Sequence, residues 1–152
     1  MQDQLSFEVT PPPRPEFSFT VDGAPVPKER PRMVKRRGKP LPGEQPYRAM
    51  TPPRTRAYEQ QVARATREAV PLGWLESDST FGVELHIYRA RRSGDTDNFV
   101  KSALDGMNGI AWHDDESVVE IHAYRYDDKA NPRVDIWVSK ISTEVATAPR
   151  AS

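Results

Sequence analysis

Apolar and polar residues alternate in four stretches of the chain and recur at helical spacing in two others. FSFTVDG (17–23) alternates and ends on Asp-Gly, which predicts a strand running into a turn. FGVELHIYRA (81–90) puts Phe81, Val83, Leu85 and Ile87 on one side, a second strand with an inward face. VVEIHAYRYD (118–127) and RVDIWVSK (133–140) alternate in the same way, separated by a DDKANP turn. In TPPRTRAYEQQVARATREAV (51–70), Tyr58, Val62, Ala65 and Ala69 share one helical face with Arg and Gln opposite, after a proline-rich start. Residues 97–108 predict a second helix. The order strand, basic loop, helix, strand, helix, strand, strand describes one α+β domain, a small mixed β-sheet packed by two helices.

A wheel of the second helix, at about 100° per residue, splits it in two. Val100, Ala103, Leu104 and Met107 form the core arc with Phe99 at its edge, while Asp97, Lys101 and Asp105 follow one another on the opposite side. Asp95 falls at or just before the N-cap. Aspartates there suit capping and the helix dipole, and Asp97–Lys101 reads equally as an ordinary i,i+4 pair. The Asn-Gly turn at 108–109 reverses the chain, so that Asp114 and Asp115 return towards the helix start. Carboxylates gathered in this way are costly unless a divalent cation joins them, and oxygen donors suit Mg²⁺ or Mn²⁺.

Competing acidic motifs fail on spacing. An EF-hand loop opening at Asp95 needs glycine sixth and glutamate twelfth, and the chain has Val100 and Gly106 there. A D-x-D glycosyltransferase needs a larger nucleotide-binding domain. His86 and His122 lie inside predicted strands without ligand spacing, which assigns them to packing or surface roles.

Composition narrows the class further. The 152 residues include no cysteine, so neither disulfides nor thiolate metal sites hold the fold. No apolar run is long enough for a membrane span, and the N-terminus lacks the pattern of a signal peptide, which makes a cytoplasmic protein the expectation. Prolines crowd between Pro11 and Pro53. They predict a flexible leader at 1–16 and a mobile loop at 38–53 within a domain of 17–141, followed by a flexible tail at 142–152.

The formal net charge of zero conceals a division. From Lys28 to Arg67 the chain holds twelve Lys/Arg against three acids, a net of +9, and the rest carries −9. Such a run is often a solvated face. Opposite a cation-binding carboxylate cluster it becomes a phosphate-binding surface, with Lys28, Arg30, Arg32, Lys35, Arg36, Arg54 and Arg56 as candidates.

These residues match a known pattern. GDTDNFVKSALDGMNGIAWHDDESVVE resembles the signature of the RusA family of Holliday junction resolvases of bacteria and phages: D-x-D-N, a lysine four residues after the second Asp, then aromatic-x-Asp-Asp before β-branched residues. FTVDGAPVPKERPR and TPPRTRAYEQQV also look like family segments, so the resemblance spans Phe17 to about Ile136. It implies a RusA-like fold, with Asp95, Asp97 and Asp115 as metal-binding catalytic acids, Asp114 as a neighbouring ligand and Lys101 as the catalytic lysine. Asp105 matches a recurrent acid without a set role. A Mg²⁺-dependent homodimer acting on four-way DNA junctions is implied as well. The proline-rich leader and the 38–53 loop depart from the pattern.

The expectation is therefore a Mg²⁺-dependent endonuclease, Mn²⁺ being a substitute, that resolves junctions by paired symmetric nicks in recombination, repair or phage DNA processing. Two alternatives stay open from the residues alone: a less selective nuclease of flaps and branches, and a non-catalytic DNA-binding protein whose acids merely cap a helix.

Overall fold

The computed structural model describes residues 15–76 and 79–141. The expected tail, and all but the last two residues of the expected leader, lie outside them. A four-stranded sheet runs in the order β1 (Phe17–Asp22), β6 (Arg133–Ile141), β4 (Thr80–Arg89), β5 (Val118–Asp127). β4 pairs parallel with β5 and antiparallel with β6, so the sheet is mixed. It sits centrally, which is why its inward residues Phe81, Val83, Leu85 and Ile87 are all buried, beside Val134, Ile136 and Val138. The turn after β5 carries the chain past the end of β4, where the Asp128 amide donates to the Arg89 carbonyl at 2.9 Å.

Both helices cover this inner face. α1 (Pro53–Ala69) starts on prolines, tolerated there because the first amides of a helix lack partners in any case. It buries Thr55, Tyr58, Val62 and Thr66, the Thr66 hydroxyl donating to the Val62 carbonyl one turn back at 2.7 Å. α2 (Thr96–Met107) buries Phe99, Ala103, Leu104 and Met107 as its wheel predicts, with Phe99 fully inside and Val100 half-buried. Ser102 is buried too, and its hydroxyl donates to the Val26 carbonyl at 2.6 Å, tying the segment after β1 to the helix. Gly106 lets the helices meet: a Cβ there would stand 2.7 Å from Val62 Cβ and 2.8 Å from the Glu59 carbonyl oxygen. The core continues as a file of rings, Phe17–Trp74–Phe81–Trp112.

The opposite face of the sheet carries aromatic side chains. His86 stacks on Tyr124 with ring centres 4.8 Å apart and meets Trp137 edge-on, a packing role as its strand position suggested.

The basic loop is more ordered than its prolines suggest. β2 (Arg32–Lys35) and β3 (Tyr47–Met50) pair antiparallel as a separate hairpin, so residues 47–50 of the expected 38–53 loop form a strand and Pro53 already opens α1. At the tip the Glu44 amide donates to the Leu41 carbonyl at 2.9 Å, and Gly43 takes the positive φ of 89° that the turn needs. Four-residue strands rich in charge show no clear alternation, and their pairing is invisible along the chain. Among the described residues no helix is long and apolar enough to cross a membrane.

Candidate active site and nucleic-acid interface

The loop from β4 to α2 is pinned from below. Arg89 at the end of β4, its side chain largely covered, donates to Asp127 of β5 at 2.7 Å and to the Gly94 carbonyl at 3.1 Å. Arg125 reaches the same carbonyl at 3.3 Å. Asp127 is held below the usual carboxylate range by Arg89, with Arg92 adding to the effect. Arg89 thus serves Asp127 and the loop, and Arg92 serves Asp127. Gly94 has φ 96°, and a Cβ on it would lie 2.7 Å from the Phe99 ring, so glycine alone lets the loop turn tightly onto the helix start.

Asp95 comes next. It is the N-cap residue of α2 in extended conformation, yet its side chain makes no capping hydrogen bond. Asp97, in the first turn, is exposed and has no ion pair among the described residues. Both carboxylates stand uncommitted at one helix end.

Lys101 does not turn back to Asp97. Its ammonium donates to Asp115 at 2.9 Å and pairs with Asp105 at 3.1 Å. Asp105 is shared with Lys28 at 2.9 Å, and Lys28 also contacts Glu59 of α1. The result is a chain of alternating charge, Glu59–Lys28–Asp105–Lys101–Asp115, crossing from α1 over α2 to the Asp-Asp segment. The hydrogen bonds that Lys101 donates to Asp115 and then to Asp105 raise it above the usual lysine value. Asp115 is lowered, first by Lys101 and then by Asp114. Burial alone would lower Lys28, but Glu59 and Asp105 outweigh it and the net shift is upward.

The Asn-Gly turn reverses the chain, but it brings Asp115 to Lys101 and, among the described residues, not into a group with Asp95 and Asp97. Trp112, fully buried, donates its indole N–H to Asn108 Oδ1 at 2.7 Å, and the Gly109 amide donates to the Trp112 carbonyl at 2.7 Å. This delivers Asp115 beside Lys101. Asp114 acts locally, because its carboxylate accepts from the Asp115 amide at 2.8 Å and caps the 3₁₀ turn Asp115–Ser117.

Asp95, Asp97 and Asp115 carry the oxygen donors a divalent cation takes. As arranged, however, they do not make a finished metal site. Among the described residues no three acids or histidines are grouped so as to hold an ion, and Asp115 is engaged by Lys101. The structure brings together Lys101, Asp105 and Asp115, with Asp95 and Asp97 at the start of the same helix.

The basic candidates divide. Arg30, Arg32, Lys35, Arg36, Arg54 and Arg56 are exposed, whereas Lys28 is half-buried between two acids and is part of the charge chain. Arg37, Lys39 and Arg48, not singled out from the sequence, join Lys35 and Arg36 around an open groove on the hairpin. The KRRGK run was the signal for the first two; Arg48 needed the pairing of β3 with β2.

Acids and a lysine on one helix, with a separate cationic hairpin in the same fold, are chemistry suited to a phosphodiester substrate. The family model described as Endodeoxyribonuclease RusA matches residues 22–139, and the chain belongs to that family. Membership implies Holliday-junction resolvase activity and a branched DNA substrate. A protein of Bacillus subtilis (strain 168) described as "Uncharacterized protein YqaN" is 24% identical over 146 residues, covering 83% of this chain and 97% of that protein.

Proposed function

We propose that the protein is a Mg²⁺-dependent crossover-junction endonuclease that resolves four-way DNA junctions by paired symmetric nicks. The supporting observation is the pairing of Lys101 with Asp115, on a helix whose first turn leaves Asp95 and Asp97 uncommitted. In this reading Asp95, Asp97 and Asp115 are the ligands for the cation, with Asp114 adjacent, and Mn²⁺ can substitute. Lys101 engages Asp115 through Oδ2, so Asp115 Oδ1 would serve the cation.

The reaction adds water to phosphorus and expels the 3′ oxygen. Lys101, held charged by two carboxylates, offsets negative charge developing on the scissile phosphate. Exposed Arg30, Arg32, Lys35, Arg36, Arg54 and Arg56 hold neighbouring phosphates and fix the register of the DNA. Two strands must be cut at symmetric places, which a two-fold homodimer with two identical sites supplies. Its setting is recombination, repair or phage DNA processing in the cytoplasm of a bacterial or phage-infected cell.

A labelled four-way junction incubated with wild type and Asp97→Asn, with and without Mg²⁺, tests this. Symmetric nicks from wild type with Mg²⁺, and none from the variant despite retained binding, are expected. Full cleavage by Asp97→Asn would sink the assignment. Equal cutting of flaps would show a less selective nuclease, and light scattering that finds a monomer on the junction would remove the dimer.

A further inference from the structure

The β2–β3 hairpin is a weak element by itself. A lone two-stranded ribbon is marginally stable in water, and this one joins no other strand. Cross-strand pairing sorts its side chains. Val34 and Met50 are half-covered on one face, while Met33, Lys35, Tyr47 and Ala49 lie on the other, all exposed. Met33 is 65% exposed and Tyr47 51%, and at the tip Leu41 is 68% exposed. Large apolar side chains held in water on an ordered ribbon call for a partner.

The surroundings indicate its chemistry. Lys35, Arg36, Arg37, Lys39 and Arg48 line a groove on the hairpin with Val34 and Met50, Glu44 being the one acid there, and Lys35 also stands directly across from Tyr47. Cations match phosphates, but a fully stacked duplex offers an aliphatic or phenol side chain little to touch. A base freed from its stack offers an apolar face. Leu and Met are side chains that wedge between base steps, and tyrosine is one on which bases stack. The mixture fits DNA whose stacking is interrupted. Position agrees: Lys28, at the base of the hairpin, contacts Asp105, and Asp105 contacts Lys101. The arm therefore springs from beside the candidate catalytic lysine.

We infer that the hairpin is a branch-probing arm, whose lysines and arginines seat it on the DNA backbone while Leu41 and Tyr47 contact bases left unstacked where the strands of a junction exchange. The inference rests on the endonuclease reading and adds to it the determinant of junction over duplex.

A four-way junction and a linear duplex, each carrying 2-aminopurine (at the branch in the junction), are titrated in EDTA with wild type, Tyr47→Phe and the double variant Leu41→Ser/Tyr47→Ser. Wild type and Tyr47→Phe are expected to prefer the junction and to change the fluorescence of its branch base. The double variant is expected to keep its duplex affinity, lose about tenfold in junction affinity and lose the fluorescence change. Both side chains are exposed, so circular dichroism should show an unchanged fold. A double variant that keeps junction preference and signal overturns the inference and leaves the endonuclease reading standing. Equal losses on junction and duplex also overturn it, by showing a role in general binding. A wild type that neither binds nor, with Mg²⁺ restored, nicks the junction overturns the endonuclease reading itself.

Discussion

Lys101 donates to Asp115 at 2.9 Å, across 14 residues of sequence, and passes over Asp97 one turn before it on its own helix. An acid four residues ahead of a lysine is ordinarily the better helical partner. Here the returning chain places Asp115 on the other side, and Asp105, already shared with Lys28, completes the attraction. Asp97 is left uncommitted as a consequence.

That pairing fixes a pH dependence. The folded-state value of Asp115 lies below its ordinary 3.8, so its contribution is present above that value and is lost as pH falls through the lower folded one. Lys101 lies above 10.5, so its contribution is complete below 10.5 and is lost as pH rises beyond the folded value. The pair should hold between these limits. Carboxyl carbon NMR should give Asp115 a midpoint below 3.8, moving up towards it in Lys101→Met. The same variant should nick about 10²–10³-fold more slowly, with junction affinity little changed. An unmoved Asp115 midpoint would mean that the two do not meet in solution.

Lys28 and the exposed arginines should part company in a salt titration. Each phosphate contact contributes close to one unit to the slope of log affinity against log salt. Arg36→Ala and Arg56→Ala should each reduce that slope by about one. Lys28→Met should leave it nearly unchanged and instead lower thermal stability, because Glu59 and Asp105 lose their shared cation. A slope reduced as much by Lys28→Met as by Arg36→Ala would place Lys28 on the DNA after all.

Much of this architecture was legible because alternation is a strong local signal. β5 spans Val118–Asp127, the limits its pattern set, and the inward file of β4 is the one that its periodicity names. The helical acids and the Asp-Asp pair were visible as a spaced motif. What the pattern could not show was competition between partners. Whether Lys101 turns to Asp97 or to Asp115 depends on where a distant segment lands, and Lys28 resembled any other lysine of a basic run until α1 and α2 closed around it. The β2–β3 hairpin was hidden for a related reason: its strands are short, charged and separated by a proline-rich turn.

Two glycines should fail differently. In Gly106→Ala the new methyl meets Val62 Cβ at 2.7 Å and the Glu59 carbonyl at 2.8 Å, so the helices must separate. Overpacking of this kind costs about 1–3 kcal/mol, and at roughly 2–4 °C per kcal/mol the melting temperature should drop measurably. Gly94→Ala meets the Phe99 ring and also carries a positive φ, beside Asp95. Its nicking rate should fall further than its stability alone would require. Gly109→Ala, with a positive φ but open space, serves as the control for backbone strain without a clash. Equal melting temperatures for Gly106→Ala and wild type would refute the close approach of α1 and α2.

The Trp112–Asn108 hydrogen bond is what should hold Asp115 in reach of Lys101. Trp112 is fully buried, and its indole N–H donates to Asn108 Oδ1 at 2.7 Å. Asn108→Ala strands that donor, at a cost of about 1–3 kcal/mol. Trp112→Phe removes the donor and part of the ring that packs on Phe81. With both changes made, no donor remains to be stranded, so the double variant should lose less stability than the two single losses combined. Strict additivity in thermal melts would show that the bond does not hold the turn. If it does hold the turn, Asn108→Ala should also loosen Asp115 from Lys101, and the Asp115 carboxyl midpoint should rise towards 3.8 although neither member of the pair has been altered.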